Sequence, residues 1–494
     1  MHGTIPVRKW LRGAVAAAIL IIGGASAPAT ADEVEIGRET TVPPAISHAA
    51  IAHGHIPLPE VLALGRQLFE ARFTTLDGAG RPGATAAEVP TRREIGDTPA
   101  FLRTSGPDAN ACAGCHIQAL VGGSGDFSMN VFVAPQDLEF DFDTIAPDLS
   151  MERGTTSITG AGFLELLARE MTADLHALRA QALDQARASG APVTVQLVTK
   201  DVGFGQLTAL PDGFVDVSRV EGVHPDLIVK PFSQKAVVIS LRQFSVGAFN
   251  MHHGIQPDER FGHRWTGDHD FDRDGVVGEM NDGLVTATTL FQAALPPPIQ
   301  VMPDHPILAE ATIRGEALFE QVGCAACHRP QLILDNPVFA EPGPYNPAGT
   351  LRDGDTDAIA RVDLAALWGD WIDVLPDGRV AVRAFTDLRR HRIADPDTPH
   401  FANEMLTHNF VPRDQFRTAP LWGVGSTAPY GHRGDVTTLD SVIRHHGGDA
   451  ADSRRAYETL PDRDRRSVIQ FLQSLQIVPL EPDVSVDQAA LGHR

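Results

Sequence analysis

The chain has 494 residues, of which 43% are hydrophobic and 21% are charged. At roughly 150 residues per domain it is long enough for two or three hydrophobic cores, and its composition excludes a disordered or fibrous protein. The net charge of −22 argues against binding to nucleic acids or anionic membrane surfaces. This charge could attract a small basic partner, although an acidic surface can also serve only to keep a protein in solution.

The N-terminus has the pattern of an export signal. Three basic residues precede an apolar run at residues 14–22, and residues 29–31 read Ala-Thr-Ala, an A-x-A cleavage site. The apolar run is shorter than the ~20 residues needed to cross a bilayer, which argues against the alternative of a membrane anchor. We therefore expect a signal peptide over residues 1–31 and a periplasmic protein with no membrane span after cleavage.

All cysteines of the chain occur in two copies of C-x-x-C-H. The copies are Cys112-Ala113-Gly114-Cys115-His116 and Cys324-Ala325-Ala326-Cys327-His328. In this motif the thiols form thioethers with the vinyl groups of one haem, and the histidine binds its iron. Disulfides, a redox dithiol and a zinc site are alternatives, but the histidine in both copies and the lack of further cysteines argue against them. The sequence thus predicts two covalently bound haem c groups.

A Gly-x-x-Leu-Phe segment lies upstream of each motif, at residues 65–69 and 315–319. The second copy leads directly into its motif, as the N-terminal helix of a cytochrome c does, whereas a loop rich in Gly, Thr and Pro separates the first copy from its motif. Apolar residues at helical spacing predict a closing helix over Pro461 to Ile477 that crosses the helix around Gly315. The same pattern would fit any amphipathic core helix.

Between the motifs, helical spacing of apolar residues predicts a helix from Gly162 to Ser189. Strand-like patterns follow at residues 193–197, 205–223 and 227–229. The run Leu295-Pro296-Pro297-Pro298 is the best linker and places a domain boundary near residue 300. We expect a mainly α fold with two cytochrome c-like haem domains, long loops and a small inserted β-sheet. The N-terminal haem domain would span residues 45–300, with helical and β insertions and a calcium-type loop, and the C-terminal cytochrome c domain residues 301–480.

These features resemble the bacterial family of di-haem c-type oxidoreductases whose members are named as peroxidases. That family is related to the di-haem cytochrome c peroxidases, the methylamine-utilisation di-haem enzymes and, more distantly, the di-haem rubber oxygenases. The resemblance extends from about residue 55 to 476, and its characteristic segments are Ser105–Asn110, Gly122–Asp126, Ala168–Leu175, His252–Gln256, Arg417–Gly423 and His446–Gly448.

The resemblance implies an enzyme that reduces hydrogen peroxide at the N-terminal haem with electrons relayed through the C-terminal haem. The alternatives are an O2-activating di-haem oxygenase and a non-catalytic electron-transfer protein. The expected partners are a small soluble electron donor, such as a cytochrome c or cupredoxin, and a small-molecule oxidant.

The resemblance also bears on the ligands of the second haem iron. In the related peroxidases a Met supplies the sixth ligand, in a segment similar to residues 429–434. Here that segment contains Gly431 and His432 and no Met. We expect ligation by His328 and His432, with Met405 as the rival ligand, and a comparatively reducing haem because imidazole replaces the thioether.

A reactive first haem needs an open or weakly held sixth position and a nearby acid or base. The densest set of suitable groups between the motifs is His252, His253, Gln256, Glu259 and Arg260. His253 or Glu259 could move a proton, and Gln256 or Arg260 could stabilise a developing anion. Each of these side chains could instead be structural, and one of the histidines could be an axial ligand.

The related enzymes use a Trp as an electron bridge between the haems. The candidates in this chain are Trp265, Trp368, Trp371 and Trp422. Core packing is the alternative role for each of them, and the sequence does not select one.

The stretch from Asp268 to Glu279 resembles a calcium-binding loop. Asp270, Asp272 and Asp274 alternate along it, Gly275 permits a sharp turn, and Glu279 follows. The loop departs from an EF-hand because position twelve, counted from Asp270, is not Glu. The sequence predicts Ca2+ bound by these three Asp and Glu279, in a structural role beside the His252 cluster; the alternative is an acidic surface turn.

Overall fold

The structure is a computed structural model that describes residues 37–80, 83–85, 89–92, 111–125, 128–133, 150–404 and 407–482. Residues 1–39 form one unit and residues 40–494 a second, compact unit. The predicted signal peptide, the segment Ser105–Asn110 and Met405 lie outside the described residues. The domain boundary near residue 300 stays a prediction.

The described part of the chain is mainly helical, which confirms the predicted class. The α-helices are α1 (His48–Ala52), α2 (Leu58–Glu70), α3 (Ala161–Ser189), α4 (Leu241–Ala248), α5 (Asp258–Phe261), α6 (His263–Thr266), α7 (Asp282–Ala293), α8 (Pro306–Gln321), α9 (Leu364–Trp368), α10 (Leu439–Arg444), α11 (Ala451–Thr459) and α12 (Asp462–Ser474). Over the described ranges, no helix combines the length and hydrophobicity that a membrane crossing would require.

The β-structure consists of small antiparallel sheets of two or three strands. The strands are β1 (Ser128–Val133), β2 (Ser150–Gly154), β3 (Val193–Thr199), β4 (Val202–Ala209), β5 (Val215–Asp216), β6 (Ile299–Gln300), β7 (Leu332–Leu334), β8 (Val338–Glu341), β9 (Ala360–Asp363), β10 (Asp373–Val374), β11 (Val380–Val382), β12 (Arg390–Arg392), β13 (Gln415–Arg417) and β14 (Leu475–Gln476). The pairs are β1–β2, β3–β4–β5, β7–β11–β10, β8–β9, β12–β13 and β6–β14.

Two pairs of helices cross at a glycine. A methyl group on Gly315 of α8 would lie 1.9 Å from the carbonyl oxygen of Ser467 in α12, and one on Gly65 of α2 would lie 2.1 Å from that of Ala287 in α7. Only glycine permits so close an approach of two backbones. The predicted crossing near Gly315 is confirmed, and α2 and α7 form an equivalent crossing in the first half.

Helix α12 is shorter than predicted. It begins after Pro461 and ends at Ser474, and the next two residues form strand β14. The reason is tertiary, because β14 pairs with β6, where Leu475 lies opposite Gln300 and Gln476 opposite Ile299. This pairing joins the end of the chain's last helix to the segment that follows the proline run.

The predicted long helix is confirmed as α3, and its apolar face lies in the largest hydrophobic core together with β3 and β4. The strand predicted at residues 227–229 is wrong, because that segment is a loop. Side chains occupy its backbone donors: the Ile228 amide donates to Asp226 Oδ1 at 2.9 Å, and the Val229 amide donates to Thr172 Oγ1 at 3.0 Å. Leu227 also has a φ of 62°, which a regular strand does not allow.

Candidate haem-binding sites

The first C-x-x-C-H motif forms a tight turn that begins at Cys112. The amides of Cys115 and His116 both donate to the Cys112 carbonyl, at 3.2 and 3.0 Å. His116 Nδ1 donates to the carbonyl of Gly123 at 3.2 Å, so its Nε2 keeps a lone pair that can bind iron. Burial lowers the pKa of His116 to about 4, which keeps the imidazole in the neutral form that a metal requires.

The second motif repeats this geometry. Its turn begins at Cys324, and His328 Nδ1 donates to the carbonyl of Phe385 at 3.1 Å. Burial, and to a lesser degree a neighbouring histidine, lowers the pKa of His328 to about 4. Each proximal histidine also faces a phenylalanine of its Gly-x-x-Leu-Phe segment: Phe69 at a ring-centroid distance of 6.0 Å and Phe319 at 6.3 Å. The two sites are therefore structural copies of one another.

The cysteines fit haem attachment better than the alternatives. All of them lie in described segments and none forms a disulfide. Burial raises the pKa of Cys112 and of Cys324 to about 12, so neither is the reactive thiolate that a redox dithiol needs. With a neutral imidazole beside each pair of thiols, held through its Nδ1 by a carbonyl, the residues of both sites suit a c-type haem.

One member of the predicted polar cluster, His253, lies beside the first motif. A π-helical turn from Phe249 to His253 follows α4, and it brings His253 Nε2 to 3.4 Å from Cys112 Sγ. Such turns occur often at functional sites because they re-aim side chains that a regular helix would place elsewhere. The turn ends at Gly254 with a φ of 76°, where a methyl group would lie 2.0 Å from the carbonyl oxygen of Gly80.

Two side-chain amides close to His253 in the sequence, those of Asn250 and Gln256, are buried. Asn250 is 1% exposed and Gln256 is 5% exposed, and Asn250 Nδ2 and Gln256 Nε2 have no hydrogen-bond partner within the described ranges. A buried donor without an acceptor costs on the order of 1–3 kcal/mol, so such groups are rare unless a ligand completes them. Sequence reasoning included Gln256 and missed Asn250, which the chemical pattern alone does not single out.

Glu259 forms an ion pair with Arg242. Arg242 Nε lies 2.9 Å from Glu259 Oε2 and its Nη2 lies 3.0 Å from Oε1, while the Leu351 amide donates to Oε2 at 2.5 Å. Arg242 itself is 0% exposed and also reaches Glu341 Oε2 at 3.3 Å. Arg260 is buried and passes close to Gly349. Sequence reasoning missed Arg242 because a single Arg in an amphipathic helix has no distinguishing signal.

A cavity of about 390 Å³ lies at the second motif. Its lining includes Cys324, Cys327 and His328 as well as His432, and it extends to His116 of the first motif. His432 is therefore brought into the same cavity as the second proximal histidine. Ligation of iron by His432 stays a prediction.

A buried charge cluster surrounds His432, and sequence reasoning missed it. His432 Nε2 lies 3.2 Å from Glu404 Oε1, which Arg153 Nη1 approaches to 2.6 Å, and Lys235 Nζ lies 3.5 Å from Glu404 Oε2. Burial, with Arg153 and Lys235 nearby, lowers the pKa of His432 to about 2, so its imidazole is neutral. These residues are distant from one another in the sequence, and no local pattern joins them.

The four candidate tryptophans differ in their surroundings. Trp422 lines the cavity that reaches both proximal histidines, and it is 7% exposed. Trp368 is buried in the largest core, whereas Trp265 and Trp371 are 36% and 45% exposed. Trp422 is therefore the candidate whose position suits an electron bridge.

The predicted calcium loop brings its three aspartates together. Carboxylate oxygens of Asp270, Asp272 and Asp274 lie within 4.8 Å of one another, and Oδ1 of Asp270 and of Asp272 are buried with no partner in the described part of the chain. Glu279 lies outside the 4.8 Å group, but burial and the charges of the three aspartates raise the pKa of Glu279 to about 10, so its part in binding Ca2+ stays a prediction. Glu279 Oε2 accepts a hydrogen bond from the Gln256 amide at 2.8 Å, which links the loop to the segment after His253.

Three comparisons with known proteins bear on these sites. The model of the family described as "Di-haem oxidoreductase, putative peroxidase" matches residues 382–475, which include Phe385 and His432 but not the second C-x-x-C-H motif. The chain is similar to the di-haem oxidoreductases. This confirms the resemblance drawn from the sequence and supports a di-haem redox function. A search of curated proteins finds no significant match.

Two solved structures are also similar to the chain. Hydrazine synthase of Kuenenia stuttgartiensis, pressurised with xenon, is 14% identical, with 93% of this chain and 100% of that chain covered and a TM-score of 0.32. A MauG-like protein associated with microbial copper homeostasis is 15% identical, with 57% of this chain and 81% of that chain covered and a TM-score of 0.26. Likeness at these scores carries no argument about the fold or chemistry of this chain.

Proposed function

We propose that the protein is a periplasmic di-haem c-type oxidoreductase that reduces hydrogen peroxide at the first haem, with electrons entering through the second. Each half would be a cytochrome c-like module, which the two glycine-centred helix crossings support. The observation that carries the proposal is the π-helical turn, which sets His253 beside Cys112. Two buried amides within three residues of His253, those of Asn250 and Gln256, have no partner among the described residues. In the reaction, hydrogen peroxide takes up two electrons and two protons and yields two water molecules.

A haem bound through Cys112, Cys115 and His116 would supply the iron at which the peroxide bond is split. His253 is the group suited to move a proton between the peroxide oxygens, because its Nε2 points towards the motif. The amide groups of Asn250 and Gln256 can donate hydrogen bonds to an oxygen that gains negative charge. Glu259, paired with Arg242, is better suited to hold this segment in place than to exchange protons.

The path for electrons would run through Trp422. This side chain borders the cavity that reaches both His116 and His328. The electron donor would be a small basic cytochrome c or cupredoxin, because the chain's net charge of −22 attracts a cationic partner.

The proposal is tested by the rate of peroxide reduction with an artificial electron donor. In a His253→Ala variant we expect the rate to fall by about a hundredfold or more, with both haems retained, because a positioned acid–base group is lost. A His263→Ala variant is the matched control, since His263 stacks on His269 outside the site. If the intact, reduced protein binds neither peroxide, cyanide nor carbon monoxide at the first haem, the peroxidase proposal is wrong and an electron carrier remains.

We also propose that Asp270, Asp272 and Asp274 bind Ca2+, which would satisfy the buried oxygens that have no partner. At a calcium concentration 100 times the dissociation constant, binding would add about 2.7 kcal/mol to the free energy of unfolding. A chelator should therefore lower the melting temperature and leave haem attached. Asp272→Asn should abolish this response, whereas Asp212→Asn, in an exposed turn, should retain it. Identical melting curves with and without chelator in the unaltered protein would exclude the site.

A further inference from the structure

Several histidines border the cavity at the second motif, and the sixth ligand of its haem iron has to come from a side chain there or from solvent. Besides the two proximal histidines, His116 and His328, the cavity is lined by His391, His432 and His446. A histidine that ligates iron is neutral, has one ring nitrogen held by an acceptor and presents the other nitrogen to the metal. These requirements can be checked for each of the three.

His446 meets them in the same way as the two proximal histidines. Its Nδ1 lies 2.8 Å from the carbonyl oxygen of Val442. A carbonyl can only accept, so Nδ1 carries the proton and Nε2 keeps its lone pair. Val442 lies in the last turn of α10, and its carbonyl also accepts the His445 amide at 3.3 Å. A carbonyl oxygen has two lone pairs, so it can accept from His446 Nδ1 as well. Burial lowers the pKa of His446, which favours the neutral ring.

His446 also lies close to His328. After burial, its charge is the largest contribution that lowers the pKa of His328, and both rings border one cavity. The edge of Phe401 packs against His446 at a ring-centroid distance of 5.7 Å and an angle of 90°, which restricts rotation of the imidazole. Position and orientation are therefore both set before any haem binds.

The other two histidines are differently engaged. His391 Nε2 lies 2.7 Å from Asp387 Oδ2 and its Nδ1 lies 3.8 Å from Cys327 Sγ, so the ring is bound at the edge of the motif. His432 Nε2 faces the buried carboxylate of Glu404 at 3.2 Å. Neither ring nitrogen of His432 makes a hydrogen bond of good geometry with the described residues, so no carbonyl orients it as in His446.

We propose that His446, and not His432, is the sixth ligand of the haem iron bound by His328. This inference rests on the proposed function to the extent that the second motif must carry a haem. Two imidazole ligands make the second haem low-spin and comparatively reducing. His432 then stays with Glu404 in the buried charge cluster beside the haem.

The test compares three histidine variants by electron spin resonance and absorption of the ferric protein. In His446→Gly we expect one of the two haems to lose its low-spin signal and gain a high-spin one, and added imidazole should restore the low-spin state. His432→Gly should keep the low-spin signal. His445→Gly is the matched control, because His445 is the adjacent residue but stacks on His400 at 3.9 Å.

A further substitution at His446 keeps the proposal testable if His446→Gly does not fold. His446→Met keeps a possible ligand, and we expect it to raise the reduction potential of the second haem, because a thioether replaces imidazole. The inference is overturned if His446→Gly leaves the low-spin signal intact, or if His432→Gly removes it and imidazole restores it. A haem assay and peroxide turnover are measured on the same samples. If the unaltered protein does not carry the second haem, the proposed function is wrong. If the spectra are as expected but peroxide is not reduced, only the peroxidase role is wrong.

Discussion

The two regions around the C-x-x-C-H motifs share one arrangement of helices and turn, which we call the frame, and they differ in the residues packed against it. In each, a glycine-centred helix crossing precedes a tight cysteine turn, and a phenylalanine faces a proximal histidine whose Nδ1 donates to a carbonyl. The entrances already differ. Gly323, with a φ of 89°, turns α8 directly into the second motif, whereas Ala111 in extended conformation precedes the first motif after a long insertion.

The supports behind the two frames differ more strongly. Beside the first motif, Arg242 joins Glu259 and Glu341, and Arg169 joins Glu341 and Glu165, so buried ions hold the segments together. Behind the second motif lies an aromatic cluster of Phe319, Phe385 and Phe471. Buried charges occur in this region as well, but they surround His432: Arg153, Lys235 and Glu404. The comparison teaches that the motif and its helices define where a haem can sit, while the surrounding elements decide which polar groups reach it.

The largest effect that separates the two regions is on haem content. Replacing Cys112 and Cys115 by Ala should remove one haem per chain, and replacing Cys324 and Cys327 should remove the other, because each pair attaches its own porphyrin. A pyridine haemochrome assay measures the content, which should fall from two haems to one in each double variant. If one double variant loses both haems, the two regions do not mature independently and the comparison fails.

The buried ions of the first region give the next largest effect. Arg242→Met leaves Glu259 buried without its ion-pair partner and leaves Glu341 with Arg169 alone. We therefore expect the free energy of unfolding to fall by about 3–5 kcal/mol. Urea unfolding measures this loss. Arg66→Met is the control, because the Arg66–Glu70 pair is exposed and contributes about 0–1 kcal/mol. Equal effects of the two substitutions would show that the ion network does not support the first region.

Substitutions at the two helix crossings should lower the free energy of unfolding by similar amounts, and by less than Arg242→Met does. Gly65→Ala and Gly315→Ala each place a methyl group against a backbone carbonyl, and we expect a loss of about 1–3 kcal/mol in each case. Gly247→Ala is the matched control, since this helical glycine has nothing within 4 Å of the added methyl group. The control should be neutral or stabilising by up to about 1 kcal/mol, because Ala is the better helix former. If only one of the two substitutions lowers the free energy of unfolding, the two crossings are not equivalent.

The sequence by itself determined the features that depend on neighbouring residues. Spacing sufficed for the two C-x-x-C-H turns, for the helix from residue 161 to 189 and for the crossing at Gly315, because short motifs and helical periodicity are local properties. The three aspartates of the calcium-type loop were also found by spacing, since alternate residues of a tight loop converge without help from distant parts of the chain.

Only the tertiary structure decided which distant groups meet. Helix α12 ends at Ser474 because the residues that follow it pair with β6. Ile228 and Val229 do not form a strand because side chains accept the hydrogen bonds of their amides. The tertiary structure also engaged Glu259 with Arg242 and gave His446 an oriented ring. These outcomes depend on residues far apart in the chain, and burial makes each contact decisive because an unpaired polar group in the interior costs more than a local preference supplies.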